Sequence, residues 1–144
     1  MPIVVVDTNL LVQAMTGGPG SSPVLQLWKE DKIRLVVCRE TLSELASVLE
    51  RPKFQRYFTT DDARRLLTLL RQRGEWFELH SHVALCRDPN DDVFLNLAIS
   101  AQADFLVSQD PDLISDETLK TIMAQRHGVK IVRVAELVRA ITNS

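Results

Sequence analysis

A chain of 144 residues, 45% hydrophobic and 25% charged with a net charge of −2, suits one compact globular domain whose core needs neither disulfides nor a structural metal. No apolar run is long enough to span a bilayer. The opening Met1-Pro2-Ile3-Val4-Val5-Val6-Asp7 reaches a carboxylate with no basic segment before it, unlike a secretory leader, so a cytoplasmic location is expected.

The acidic balance argues against a passive nucleic-acid binder, which would rely on surplus Lys and Arg. It is compatible with a nuclease whose metal site is itself acidic. Cys38 and Cys86 lack the clustered spacing of a zinc site and read as small buried hydrophobes. His80, His82 and His127 read as surface residues, the first two at a strand end.

The β-branched run 3–6 predicts a buried strand. Asp7-Thr8-Asn9 then supplies helix-start residues ahead of Leu10-Leu11-Val12. The Gly-, Pro- and Ser-rich stretch 16–22 is expected to be a loop. A helix over 23–31 and a second buried strand over 33–38 follow. Leu42, Leu45, Ala46 and Leu49, at i, i+3, i+4 and i+7, predict a helix over 39–50 that ends before Pro52. Over 60–73 the stripe of Ala63, Leu66, Leu67 and Leu70 predicts a helix capped by Thr59 or Thr60 and stopped by Gly74. Its leucine face suits either the core or a dimer interface. Residues 76–80 predict a third strand. Asp88 reads as an N-cap and Pro89 as the first residue of a helix through Phe94, Leu95, Ala98 and Ile99 to about 102. A strand over 105–107, a turn around Pro111, a helix over 116–126, a strand over 130–134 and a closing helix over 135–142 complete the pattern.

Strands alternating with helices imply an α/β fold, a mainly parallel sheet flanked by helices on both faces. Sites in such sheets form at the carboxyl ends of the strands. Asp7 directly follows the first strand. Asp110, with Asp112 behind it, follows the 105–107 strand. Asp91 and Asp92 open the long apolar helix, and Glu44 lies at the edge of the apolar stripe of the 39–50 helix.

Singly, each has a plainer reading. Asp7 suits a helix cap; Asp88, Asp91 and Asp92 suit a helix N-terminus; Asp110 and Asp112 suit a turn; Glu44 suits a solvated helix face. Together, the fold would collect them at one edge of the sheet. Two carboxylates about 5 Å apart repel by roughly 3 kcal/mol at an effective dielectric near 20, so such a cluster must take up cations or protons. Oxygen ligands without His or Cys select Mg²⁺ or Mn²⁺. Such ions activate water and stabilise a leaving oxygen in phosphodiester hydrolysis.

Four ordered segments resemble the motifs of PIN domains. Val6-Asp7-Thr8-Asn9-Leu10-Leu11 resembles the opening motif. Thr41-Leu42-Ser43-Glu44-Leu45, with Val48-Leu49-Glu50-Arg51-Pro52-Lys53-Phe54, resembles the second motif of a bacterial subgroup. Arg87-Asp88-Pro89-Asn90-Asp91-Asp92-Val93-Phe94-Leu95 resembles the third, and Ala103-Asp104-Phe105-Leu106-Val107-Ser108-Gln109-Asp110-Pro111-Asp112-Leu113 the fourth.

The resemblance implies a single PIN-like three-layer domain and a metal-dependent ribonuclease acting on single-stranded RNA. Its catalytic, metal-binding acids would be Asp7, Glu44, one or both of Asp91 and Asp92, and Asp110. Asp91 continues the face of Phe94, Leu95 and Ala98, whereas Asp92 stands about 100° round the helix, which favours Asp91 as the direct ligand. Asn9, Ser108 and Asp112 are candidate supports for the acids, Asn9 by orienting Asp7. Ser108 stands where the family often has Thr, and Gln109 where it often has Gly. Arg51, Lys53 and Arg87 are candidates to hold RNA, with Arg56 in the same basic run as the first two.

The subgroup further implies the toxin of a toxin–antitoxin pair, a small antitoxin partner and a homodimer. Competing readings are a non-catalytic PIN-fold scaffold binding RNA or protein, and a DNA-directed nuclease of the same fold. Chemistry through an aspartyl intermediate at Asp7 is disfavoured by Asn9, where a second Asp would stand. A receiver-like signalling domain would need a phosphoacceptor Asp near Cys38-Arg39, which offers none.

Overall fold

The computed structural model describes residues 1–17 and 22–143. Among them, β1 (Ile3–Val6), β2 (Arg34–Val37), β3 (Glu75–Trp76), β4 (Phe105–Val107) and β5 (Lys130–Val132) form a sheet in the order β3-β2-β1-β4-β5. Every pairing is parallel, with Val5 opposite Leu106 and Val6 opposite Val107. The helices are α1 (Thr8–Thr16), α2 (Pro23–Lys29), α3 (Arg39–Leu49), α4 (Thr60–Arg73), α5 (Asp92–Ser100), α6 (Pro111–Ile114), α7 (Glu117–His127) and α8 (Val134–Thr142).

The inner strands β1, β2, β4 and β5 are apolar apart from Arg34 and Lys130 at the starts of β2 and β5, because their side chains alternate between two buried faces. Val4, Val6, Leu35, Val37, Val107 and Val132 pack in one core with residues of α1–α4 and α8. Val5, Val36, Leu106 and Ile131 point the other way, into a core shared with α5–α7. The result is three layers, helices–sheet–helices. Leu66, Leu67 and Leu70 are buried in the first core, so the leucine face of α4 serves the core.

Local chemistry sets the element ends. Thr59 and Asp62 form a reciprocal cap at the start of α4, at 3.1 and 3.0 Å. Gly128 takes the left-handed φ of 70° that ends α7.

Three expectations need correction. The 108–112 turn continues into the short helix α6, with Asp110 as N-cap and Pro111 at its first position. The expected 16–22 loop begins later than its composition suggested, because α1 runs through Thr16; residues 18–21 lie outside the described residues.

The expected 76–80 strand is the edge strand β3, only two residues long. Beyond Phe77, whose N–H still reaches Val37 O at 3.0 Å, the chain leaves the sheet and is held by side chains of α5 instead. Ser100 Oγ accepts from the N–H groups of His80 and Ser81. Asn96 accepts from Val83 N at 2.8 Å and donates to Val83 O at 3.2 Å. Asp92 Oδ1 accepts from Leu85 N and Cys86 N at 3.1 and 2.8 Å. These three residues are four apart and so share one face of α5. They form a ladder that straps the 80–86 segment to the helix.

Candidate active site

From the central strand β1 the sheet extends through β2 on one side and β4 on the other. The carboxyl ends of β1 and β4 therefore flank the point where strand order reverses, where α/β sheets open a crevice. Asp7 follows β1 there and Ser108 follows β4. Asp7 is 4% exposed and Ser108 fully buried.

Asp7 is the N-cap of α1, its Oδ1 accepting from Leu10 N at 2.8 Å. Its Oδ2 accepts a short hydrogen bond from Ser108 Oγ. The same hydroxyl oxygen accepts from Asp110 N at 3.0 Å, so Ser108 ties Asp7 to the start of α6. Asp110 Oδ1 in turn accepts from Asp112 N at 2.9 Å. Burial raises the Asp7 pKa against the lowering effect of the Ser108 and Leu10 donors; Asp110 and Glu44 push it up further. Glu44 projects from α3 and accepts from Thr8 Oγ1 at 3.2 Å, across the α1–α3 contact.

Residues Pro89–Asp91 form a 3₁₀ turn ahead of α5, capped by Asp88, whose Oδ1 accepts from Asn90 N at 3.0 Å. Asp91 enters the acidic group from this turn. Burial, then the charges of Asp110, Asp88 and Asp7, lift its pKa to about 7. Asp110 is near enough to share a proton with Asp91. With both groups ionised, Asp91 Oδ2 is buried with no donor at all. Its neighbour Asp92 spends Oδ1 on the 80–86 strap.

Among the described residues, no three of these side chains close around one point as a finished cage. Ionised carboxylates repel one another, and a cation is what draws them inward. The donor set fits a hard divalent cation: every group contributes oxygen, and Asp91 Oδ2 is an orphan acceptor of the kind a cation satisfies.

The remaining candidates fall unevenly. Asn9 makes no hydrogen bond to Asp7 and is exposed on α1; Asp7 takes its donors from Leu10 N and Ser108 Oγ, one on each oxygen, which leaves a lone pair free on both. Asp112 supports Asp110 through its backbone, and its carboxylate lies 3.8 Å from Arg87 Nη1. Arg87 is 80% exposed, beside the site. Lys53 Nζ lies 5.1 Å from the centre of the Phe54 ring. Phe54 lines a cleft of about 430 Å³ that also includes Asp7 and Asp110. Arg51 precedes the 3₁₀ turn Pro52–Phe54 and is exposed.

Sequence reasoning missed Thr8, Asn96 and Ser100. The spacing of Asp92, Asn96 and Ser100 was visible, but nothing in it says which backbone lies alongside. Thr8 carries no signal beyond its place next to Asp7.

Fold and site together define an α/β protein with an all-oxygen acidic cluster at the switch point of a parallel sheet. Residues 3–112 match the PIN domain family, and the chain belongs to that family, whose members are generally nucleases and typically use divalent metals. It is 29% identical over 116 residues to the uncharacterized protein MJ1680 of Methanocaldococcus jannaschii, covering 78% of this chain and 73% of the relative. The solved structure of FitAB bound to the IR36 DNA fragment is 12% identical with a TM-score of 0.47, covering 91% of this chain and 94% of that one. Among the described residues, no helix is long and apolar enough to cross a membrane.

Proposed function

We propose that this protein is a metal-dependent endoribonuclease that cuts single-stranded RNA. The observation that carries the reading is Asp91 Oδ2, buried and unpartnered beside Asp110 and Asp7. An acid in that position stabilises the fold only when a proton or a cation joins it. Asp7, Glu44, Asp91 and Asp110 are the side chains that would hold Mg²⁺ or Mn²⁺. When bound, the ions supply an activated water and charge compensation at the leaving oxygen.

The chain's own residues do the rest. Ser108 fixes the rotamer of Asp7, and Thr8 that of Glu44. Asp91, whose pKa is raised to about 7, releases its proton as the site fills. Asp92 acts at one remove, anchoring the strap that runs up to the Asp88–Asp91 turn. Arg87 and Lys53 offer exposed cations to the phosphates on either side of the cut. A role as the toxin of a toxin–antitoxin pair, held in check by a small protein partner, rests on the resemblance of the motifs to the bacterial subgroup.

The test is cleavage of a mixed single-stranded RNA panel, with matching DNA strands, in Mn²⁺, Mg²⁺ or EDTA. Wild type should cut RNA only with metal, and Asp7→Asn should lose the activity. Preferential cutting of the DNA strands would reassign the substrate. No cutting, together with no saturable Mn²⁺ binding by calorimetry, would leave a non-catalytic scaffold.

A further inference from the structure

The geometry points to a nucleobase subsite in the cleft beside Asp7 and Asp110, which takes a base of the RNA strand whose phosphate lies at the acidic cluster. This inference rests on the nuclease reading above. The cleft, about 430 Å³, falls in the size range of small-ligand sites. Asp7 and Asp110 belong both to its wall and to the acidic cluster, so an occupant sits next to the reacting phosphate.

The lining chemistry identifies the occupant. Asn9 and Gln13 stand one turn apart on α1, and Gln109 faces them from the segment after β4. Among the described residues, none of these three carboxamides has a protein partner. Each offers a donor and an acceptor side by side, the pattern that pairs with the edge of a base. A phosphate would call for Lys or Arg, and among the described residues the lining contains neither.

Phe54 adds the other half of base recognition. It is half-buried and stacked on Phe58, with ring centres 6.0 Å apart and planes 19° apart. A ring fixed in this way is a stacking platform for an unpaired base. Lys53 Nζ lies over the face of the same ring, 5.1 Å from its centre, and a base stacking there would displace this exposed, flexible cation toward the adjoining phosphate. The acids thus mark the phosphate end of the site, and the amides and Phe54 mark its base end.

The experiment is a titration of the protein, with Mg²⁺ present, by each of the four nucleoside 5′-monophosphates, followed by backbone amide NMR. It is repeated for Phe54→Leu and for Gln13→Ala/Gln109→Ala. The junctions cut in a random RNA pool are sequenced for the same proteins. One nucleotide should bind best and move the amides of Asn9, Gln13 and Gln109. Phe54→Leu should weaken it about tenfold. The double variant, altered only at exposed side chains, should level the preference among bases in binding and in cut sites. Selective binding without RNA cutting would keep the subsite and remove the nuclease reading. Cutting with no shifts at these amides, or with a base preference unchanged in the double variant, would overturn the subsite and keep the nuclease. Neither binding nor cutting would overturn both.

Discussion

The unpartnered Oδ2 of Asp91 means that ionising this side chain opposes folding until a cation arrives. Its pKa in the folded chain, about 7, lies above the ordinary 3.8. Between those values the folded state holds the extra proton, so stability falls as pH rises through that window and stays reduced above it. In EDTA, Asp91→Asn should therefore unfold at a higher temperature than wild type at pH 8, and the advantage should fade toward pH 4. A difference that ignores pH would refute the burial account. The adjacent acid should behave differently. Asp92→Asn keeps an acceptor for Leu85 N and Cys86 N, so RNA cleavage should stay within about tenfold of wild type, the mild end of what a supporting residue costs. Asp91→Asn should lose more than about a hundredfold, the upper end of that range. Single-turnover cleavage by the two variants gives the comparison, and equal losses would mean that both acids serve the metal.

At the scale of elements, the strap on α5 replaces backbone pairing with side-chain acceptors. Removing its lowest rung by Asp92→Ala hands the exposed Leu85 N to water and leaves the part-buried Cys86 N without its partner, which should cost about 1–2 kcal/mol. Hydrogen exchange should accelerate at Leu85 and Cys86, with Leu95 and Leu97 in the core still protected; unchanged exchange at Cys86 would show that the strap stands without Asp92. This device explains where sequence reading stopped. Apolar periodicity located α3, α4 and α5 because each buries a continuous stripe. It has no purchase on a polar ladder whose partner is an irregular segment, so 77–80 read as strand. The four residues of α6 are too few for any period to show, and Asp110-Pro111 suits a turn equally well. The choice between Asp91 and Asp92 assumed one α-helix from Pro89 onward. The turn at 89–91 is 3₁₀, with three residues per turn, which alters the phase on which that choice was made.

At the scale of the whole molecule, the carboxyl-edge rule put Asp7 and Asp110 in one neighbourhood, and the two do follow adjacent parallel strands. The roles within that neighbourhood were not legible, because they depend on rotamers fixed by distant residues such as Ser108. Binding a cation that only the folded chain can hold adds stability as RT ln(1 + [L]/Kd), about 2.7 kcal/mol at a hundred times Kd. Mn²⁺ should accordingly raise the melting temperature of wild type and leave that of Asp7→Asn nearly unchanged; equal shifts would place the ion elsewhere.

The acids stand at positions 7, 44, 91 and 110, and Asp7 receives its hydroxyl donor from a residue 101 places along the chain. A polypeptide emerging from its N-terminus therefore carries no complete set until β4 has docked beside β1. On the nuclease reading proposed above, connectivity alone would withhold cleavage during synthesis, and a prematurely terminated copy that ends before β4 would lack the machinery to cut.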